Sequence, residues 1–258
     1  MDKAAPRDMD GDRSEPRYFG PWGVAVVVIL SAVLALVPAF VGYLVLVCGY
    51  SSEDCTTTLL ASQDSDELRS LLAPNALEII NLTLSAAFEM AIAGVVVAAA
   101  YWRSRGRVTV LLGLERPVDW AVFKRALLLT LTLIVVMSPT EILFPQLRDI
   151  FVLPKTSIGI SVFMFLVIVV APICEETLFR GFMYSNLRAW YSFGVSNLVV
   201  SAVFALAHAP TSLLCVPLVL PIGILLGWVR ERAGSIVPAI ALHALYNASA
   251  FVTELIFR

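Results

Sequence analysis

Six side chains in three fragments hold the chemistry of this sequence: Glu175, Glu176 and Arg180 in Glu175-Glu176-Thr177-Leu178-Phe179-Arg180, His208 in Phe204-Ala205-Leu206-Ala207-His208, and His243 with Asn247 in His243-Ala244-Leu245-Tyr246-Asn247. His208 and His243 are the only histidines of the chain, and each fragment lies in or at the end of a strongly apolar stretch. Placing an ionisable group near a bilayer centre costs roughly 2.5 to 3.5 kcal/mol, so its default explanation is function.

Spacing divides the labour within each fragment. On a helix Glu176 and Arg180 are four apart and share a face, whereas Glu175 points about 100° away, so one carboxylate is paired while its neighbour stays free. The plain alternative is an ordinary ion pair at a helix end. Phe204 and His208 also share a face, as do His243 and Asn247. For His208 the bland alternative is a polar residue near a helix end before Pro210; a His and an Asn on one face inside a span exceed what helix packing requires.

Together, a carboxylate, two imidazoles and a carboxamide from three helices suit hydrolysis of an amide. Glu175 with His208 can hold and deprotonate a water. His243 and Asn247 can donate to the oxyanion of the tetrahedral intermediate. A metal version uses the same residues: Glu175, His208 and His243 would bind Zn²⁺ with one position open, and Glu176 would be the base. The chain lacks the H-E-x-x-H helix that supplies two ligands and a base at once. No cofactor is the expectation, with Zn²⁺ the alternative that the sequence leaves standing.

The elements that must position these residues are membrane helices. Hydrophobic residues make up 59% of the chain and charged residues 15%, and mean hydropathy is +0.85, which indicates an integral membrane protein. A net charge of -2 without a basic block gives no support for a nucleic-acid partner. Taking roughly 20 apolar residues per crossing, the sequence predicts an all-α polytopic bundle of about seven spans, with six to eight as the range. They are Trp22 to Cys48, Ala76 to Tyr101, Trp120 to Phe144, Ile158 to Trp190, Ser192 to Ala209, Ser212 to Trp228 and Ile236 to Phe257. Residues 1–20 read as a disordered tail and 21–258 as one transmembrane domain, with the catalytic core at about 158–258.

Charge sets the orientation. The tail, the loop with Arg103, Arg105, Arg107 and Arg116, and the later loops with Arg188, Arg230 and Arg232 all fall on one side of a seven-span chain. The segment from Gly49 to Asn75 carries Glu53, Asp54, Asp64, Asp66 and Glu67 against Arg69, so the N-terminus is expected in the cytoplasm and the C-terminus outside. Of the four cysteines, Cys48 and Cys55 would pair only if their loop faces an oxidising compartment, and Cys174 reads as a small core residue. Glu89 suits a water path or a hydrogen bond inside the bundle, Glu141 an interface, and the loop from Pro145 to Thr156 a solvated lid.

The motifs E-E-x-x-x-R (Glu175 to Arg180), F-x-x-x-H (Phe204 to His208) and H-x-x-x-N (His243 to Asn247), in that order on successive helices, resemble those of the CPBP intramembrane proteases. That family contains the type II CAAX prenyl endopeptidases and bacterial members associated with bacteriocin maturation and self-immunity. The resemblance covers Pro172 to Asn247 and their flanks. It implies that Glu175 and His208 activate the attacking water, that His243 and Asn247 stabilise the oxyanion, and that Glu176, Arg180 and Phe204 support the site. The implied substrate is a membrane-associated peptide or protein with a hydrophobic or lipidated tail, cut in the plasma membrane if the host is bacterial. Rival readings are a catalytically silent immunity or scaffold protein, and a transporter with Glu89, Glu175 and the histidines on an ion or proton path. One expectation conflicts with the site: at 1.5 Å per residue, the predicted span ends put Glu175 and His208 near opposite membrane faces.

Overall fold

The computed structural model describes residues 18–50, 74–138, 153–209 and 212–257, and all regular structure among them is helical. The helices are α1 (Pro21–Tyr50), α2 (Pro74–Arg103), the short α3 (Val108–Leu112), α4 (Trp120–Met137), α5 (Ser157–Arg188), α6 (Phe193–Ala207), α7 (Cys215–Ala233) and α8 (Val237–Phe257). The fold class is therefore the one the hydropathy predicts. Within the described residues α4, α5, α8 and the Ile79–Arg103 part of α2 are long and apolar enough to cross a membrane, and Pro21–Leu36 and α6 are shorter apolar helices. The Cys48–Cys55 pairing, most of the acidic segment, Glu141 and the tail as far as Arg17 lie outside the described residues.

Local signals explain several helix ends. Asp119 caps α4 by accepting from the N–H groups of Ala121 and Val122 at 2.9 and 3.1 Å. Helix α7 runs past the predicted end at Trp228 and carries Glu231 as well as Arg230 and Arg232, two residues that the charge pattern places in a loop. Arg and Glu are good helix formers, and the stop comes at Gly234, whose left-handed φ of 66° suits a residue without Cβ.

Helix α5 is the axis of the bundle and packs against α1, α2, α3, α6, α7 and α8. Around it lie Phe179, Phe182 and Met183 of α5 itself, Val96 and Ala100 of α2, Phe204 of α6, Ile222 and Leu226 of α7, and Leu242 of α8. Helices α6 and α7 approach closely because Gly227 has no side chain: a Cβ there would stand 1.8 Å from Asn197 Oδ1. Asn197 in turn donates to the Ile224 carbonyl at 3.1 Å and accepts from Ser201 at 3.2 Å, so a polar pair is satisfied inside the seam.

Two predicted solvated segments are partly packed. The sequence reading extends the disordered tail to Gly20, yet the Phe19 N–H donates to Asn186 Oδ1 at 2.6 Å and the Trp190 indole donates to the Phe19 carbonyl at 3.0 Å. The Phe19 ring lies 5.5 Å from Phe182, with the Arg103 guanidinium 5.7 Å from its centroid. An aromatic ring with a core to enter orders the chain around it. Similarly, Leu153 and Pro154 at the end of the predicted lid are buried, which suits their apolar side chains better than solvent does.

The loops rich in basic residues share one end of the bundle. Arg230 lies against Gly113 and donates to the Arg180 carbonyl at 3.2 Å and to Ser185 Oγ at 3.1 Å, while Arg116 lies against Gly234. Glu231 binds Arg188 at 3.2 Å and accepts from the Tyr184 hydroxyl.

Candidate active site

Pro172 shapes the helix that carries both glutamates. Proline lacks an N–H, and its ring crowds the carbonyl four residues back, so an ordinary α-turn is unfavourable there. Helix α5 widens instead to a π-turn over Leu166–Val170, in which the Ala171 N–H reaches five residues back to Leu166 O. A second π-stretch covers Thr177–Met183, immediately after Glu176. The two glutamates thus sit on a short α-segment, Ala171–Glu176, between two offsets of register.

Glu176 is the hub. Its Oε1 accepts from Arg180 Nη1 at 2.7 Å, the i,i+4 pair that the spacing predicts, and both side chains are fully buried. Burial rules out the bland surface ion pair. Arg180 Nη2 donates to the Gly223 carbonyl at 2.9 Å, and the guanidinium lies over Phe204, 4.4 Å from its centroid. The same Glu176 Oε1 is 2.9 Å from His243 Nδ1. A carboxylate held by arginine only accepts, so Nδ1 carries the proton and donates it. His243 Nε2 is thereby turned toward Glu175, 3.8 Å from its Oε2.

Glu175 is the free partner. It is partly exposed, its Oε2 is buried without a hydrogen-bond partner, and Glu176 Oε2 is likewise without one. Buried carboxylate oxygens in this state require a donor from water or a substrate.

The other residues reach this pair through packing. The Phe204 ring has its edge contacts with Phe179 at 5.1 Å, His243 at 5.6 Å and His208 at 5.0 Å. His208 ends α6, and its Nδ1 donates to the Phe204 carbonyl at 2.9 Å, leaving Nε2 unspent. Asn247, one turn beyond His243 on α8, donates from Nδ2 to the Val167 carbonyl at 2.9 Å. Glu89 on α2 is half-buried and within electrostatic reach of Glu175 and His243.

All three fragments therefore meet in one neighbourhood, and the depth conflict disappears. Helix α5 has 32 residues, more than the roughly 20 that a crossing needs, so the end of the helix does not tie Glu175 to one membrane face. Among the described residues no group of three or more His, Cys, Asp or Glu side chains is arranged to hold a metal ion. What the sequence reading missed is main chain: the Val167 and Gly223 carbonyls each receive a functional side chain. Pro172 signals the first, and the Gly223-x-x-x-Gly227 spacing signals the close helix approach beside the second.

The assembled motifs fall within a recognised domain. Residues 157–249 match the family model for type II CAAX prenyl endopeptidase Rce1-like proteins, the group to which the three motifs pointed. The match and the apolar helices support an integral membrane protein of the protease class. No curated protein and no solved structure matches the chain.

Proposed function

We propose that the protein is an intramembrane endopeptidase that hydrolyses a peptide bond in a membrane-associated substrate with a hydrophobic or lipidated tail. The observation that carries this reading is the division between two adjacent carboxylates: Glu176 is held through Oε1 by both Arg180 and His243, while Glu175 makes no such bond and its Oε2 faces His243 Nε2.

Water donating to Glu175 loses a proton to it as its oxygen attacks the scissile carbonyl carbon, with His208 as the second partner of that water. Negative charge gathers on the carbonyl oxygen. The second Asn247 N–H is a donor suited to it, and so is His243 Nε2 when the ring carries a proton on both nitrogens between Glu175 and Glu176; such donors act strongly where bulk water is excluded. The proton on Glu175 then passes to the leaving nitrogen as the C–N bond breaks. Glu176, Arg180 and Phe204 touch no reacting atom in this scheme and hold His243 in place. The N-terminus is cytoplasmic, because the basic residues gather at the end of the bundle that Phe19 also joins.

The test is cleavage by detergent-solubilised protein of hydrophobic C-terminal and leader-type peptides, prenylated and unprenylated, for the native chain, Glu175→Gln and His208→Ala. Cleavage lost in both folded variants supports the reading. Cleavage retained in Glu175→Gln overturns it, and loss on adding chelator would point to metal chemistry.

A further inference from the structure

Asn247 does something in this structure that an oxyanion donor alone would not need to do. In the π-register of Leu166–Val170 the Ala171 N–H is taken by Leu166 O, and the next N–H in that register would belong to residue 172 and reach Val167 O. Residue 172 is proline and has none. The carbonyl so orphaned is the one that receives Asn247 Nδ2 at 2.9 Å. The fit is chemical as well as geometric: a carbonyl inside the bundle without a donor is costly, and a carboxamide N–H is the group most like the missing peptide N–H.

The geometry points to Asn247 as a positioning residue: its carboxamide replaces the N–H that Pro172 lacks, ties the π-turn of α5 to α8, and so fixes the glutamates against His243 on the same face of α8. The tie lies one helical turn from the His243 contacts with Glu175 and Glu176, so α5 and α8 are joined at two levels. Without the tie the Val167 carbonyl loses its donor and the π-turn is less firmly held, and a rotation of α5 there would carry both carboxylates off the imidazole. The inference rests on the protease reading for its catalytic consequence, but the tie itself stands without it.

A double-mutant cycle tests both. Asn247→Ala removes the donor, and Pro172→Ala supplies a main-chain N–H that faces Val167 O in the π-register. Three readouts are followed in the native protein, N247A, P172A and N247A/P172A: the thermal midpoint, peptide cleavage, and the ring signals of ¹⁵N-histidine. The chain has two histidines, so the His243 Nδ1–H bonded to Glu176 gives an assignable resonance.

The expected result is that N247A lowers the midpoint by roughly 2–4 °C, shifts the His243 Nδ1–H resonance, and cuts cleavage through kcat with KM little changed. The double variant should recover the midpoint and the resonance more than halfway, and cleavage only in part, because it still lacks the second Asn247 N–H that serves the oxyanion. If N247A alone fails to fold, a folded double variant gives the same answer. Equal loss in N247A and N247A/P172A, or an unshifted His243 resonance in N247A, would overturn the inference. Recovery of midpoint and resonance with no gain in cleavage over N247A would return the catalytic role of Asn247 to direct donation alone and overturn positioning. Absence of cleavage in every protein, the native chain included, counts against the protease reading alone, because midpoint and resonance still decide the tie.

Discussion

Glu176 Oε1 is shared between His243 Nδ1 at 2.9 Å and Arg180 Nη1 at 2.7 Å, so one oxygen joins the fifth helix to the eighth and neutralises a buried cation as well. Such an arrangement is stable as a set and fragile in its parts. Arg180→Met should destabilise the protein by about 3–5 kcal/mol, because it strands a buried carboxylate, and Glu176→Gln/Arg180→Met should recover much of that loss. Thermal unfolding of native, single and double variants measures the coupling; additive losses would disprove it.

The neighbouring carboxylate should behave in the opposite way. Glu175 makes no hydrogen bond, so Glu175→Gln should leave stability within about 0.5 kcal/mol of native. The same variant should reduce cleavage by at least roughly a hundred-fold, the low end for loss of a general base. Parallel unfolding and cleavage assays separate the two effects.

The seam between α6 and α7 has no room to spare. Gly227→Ala would place its Cβ 1.8 Å from Asn197 Oδ1, and we expect a loss of about 1–3 kcal/mol. Adding Asn197→Ala removes the clash and should restore part of the stability, read as a rise in thermal midpoint over Gly227→Ala alone. The recovery stays incomplete because the Ile224 carbonyl loses its side-chain donor.

A pH dependence follows at the basic end of the bundle. Burial pushes the Glu231 carboxyl up, but hydrogen bonds from the Tyr184 hydroxyl and the Arg188 guanidinium outweigh this and hold it below the ordinary carboxylate value. A group with a depressed folded pKa stabilises above its unfolded value, about 4.3 for glutamate, and loses that contribution as pH falls through the folded value. Native protein should therefore exceed Glu231→Gln in thermal midpoint at pH 7. The gap should narrow steadily below about pH 4; a gap independent of pH would remove the ion pair as its cause.

How much of this was legible in the sequence depends on whether side chain or main chain was involved. The i,i+4 rule gave the Glu176–Arg180 pair and the freedom of Glu175, because both follow from helical azimuth alone. Hydropathy found the long helices for the same kind of reason. It misplaced the end of α7, where helix-forming charged residues continue an element that polarity suggests has ended. Nor could it see that Glu176 binds His243, since a tertiary contact across 67 positions leaves no trace in local periodicity. The π-offsets were hidden as well: Pro172 announces a disturbed helix but leaves open whether it kinks or widens.

The anchoring of Phe19 bears on the order in which the molecule can assemble. Its main-chain partners, Asn186 and Trp190, lie 167 and 171 positions downstream, so this segment finds its seat only after those residues have been synthesised. Contacts so distant in sequence form late, because the intervening loop must close before they reward it. Helix α1 can meet α2 early, yet its entry stays loose until the far end of α5 arrives. The amino-terminal latch thus reports a completed bundle, and a truncated nascent chain would leave it open.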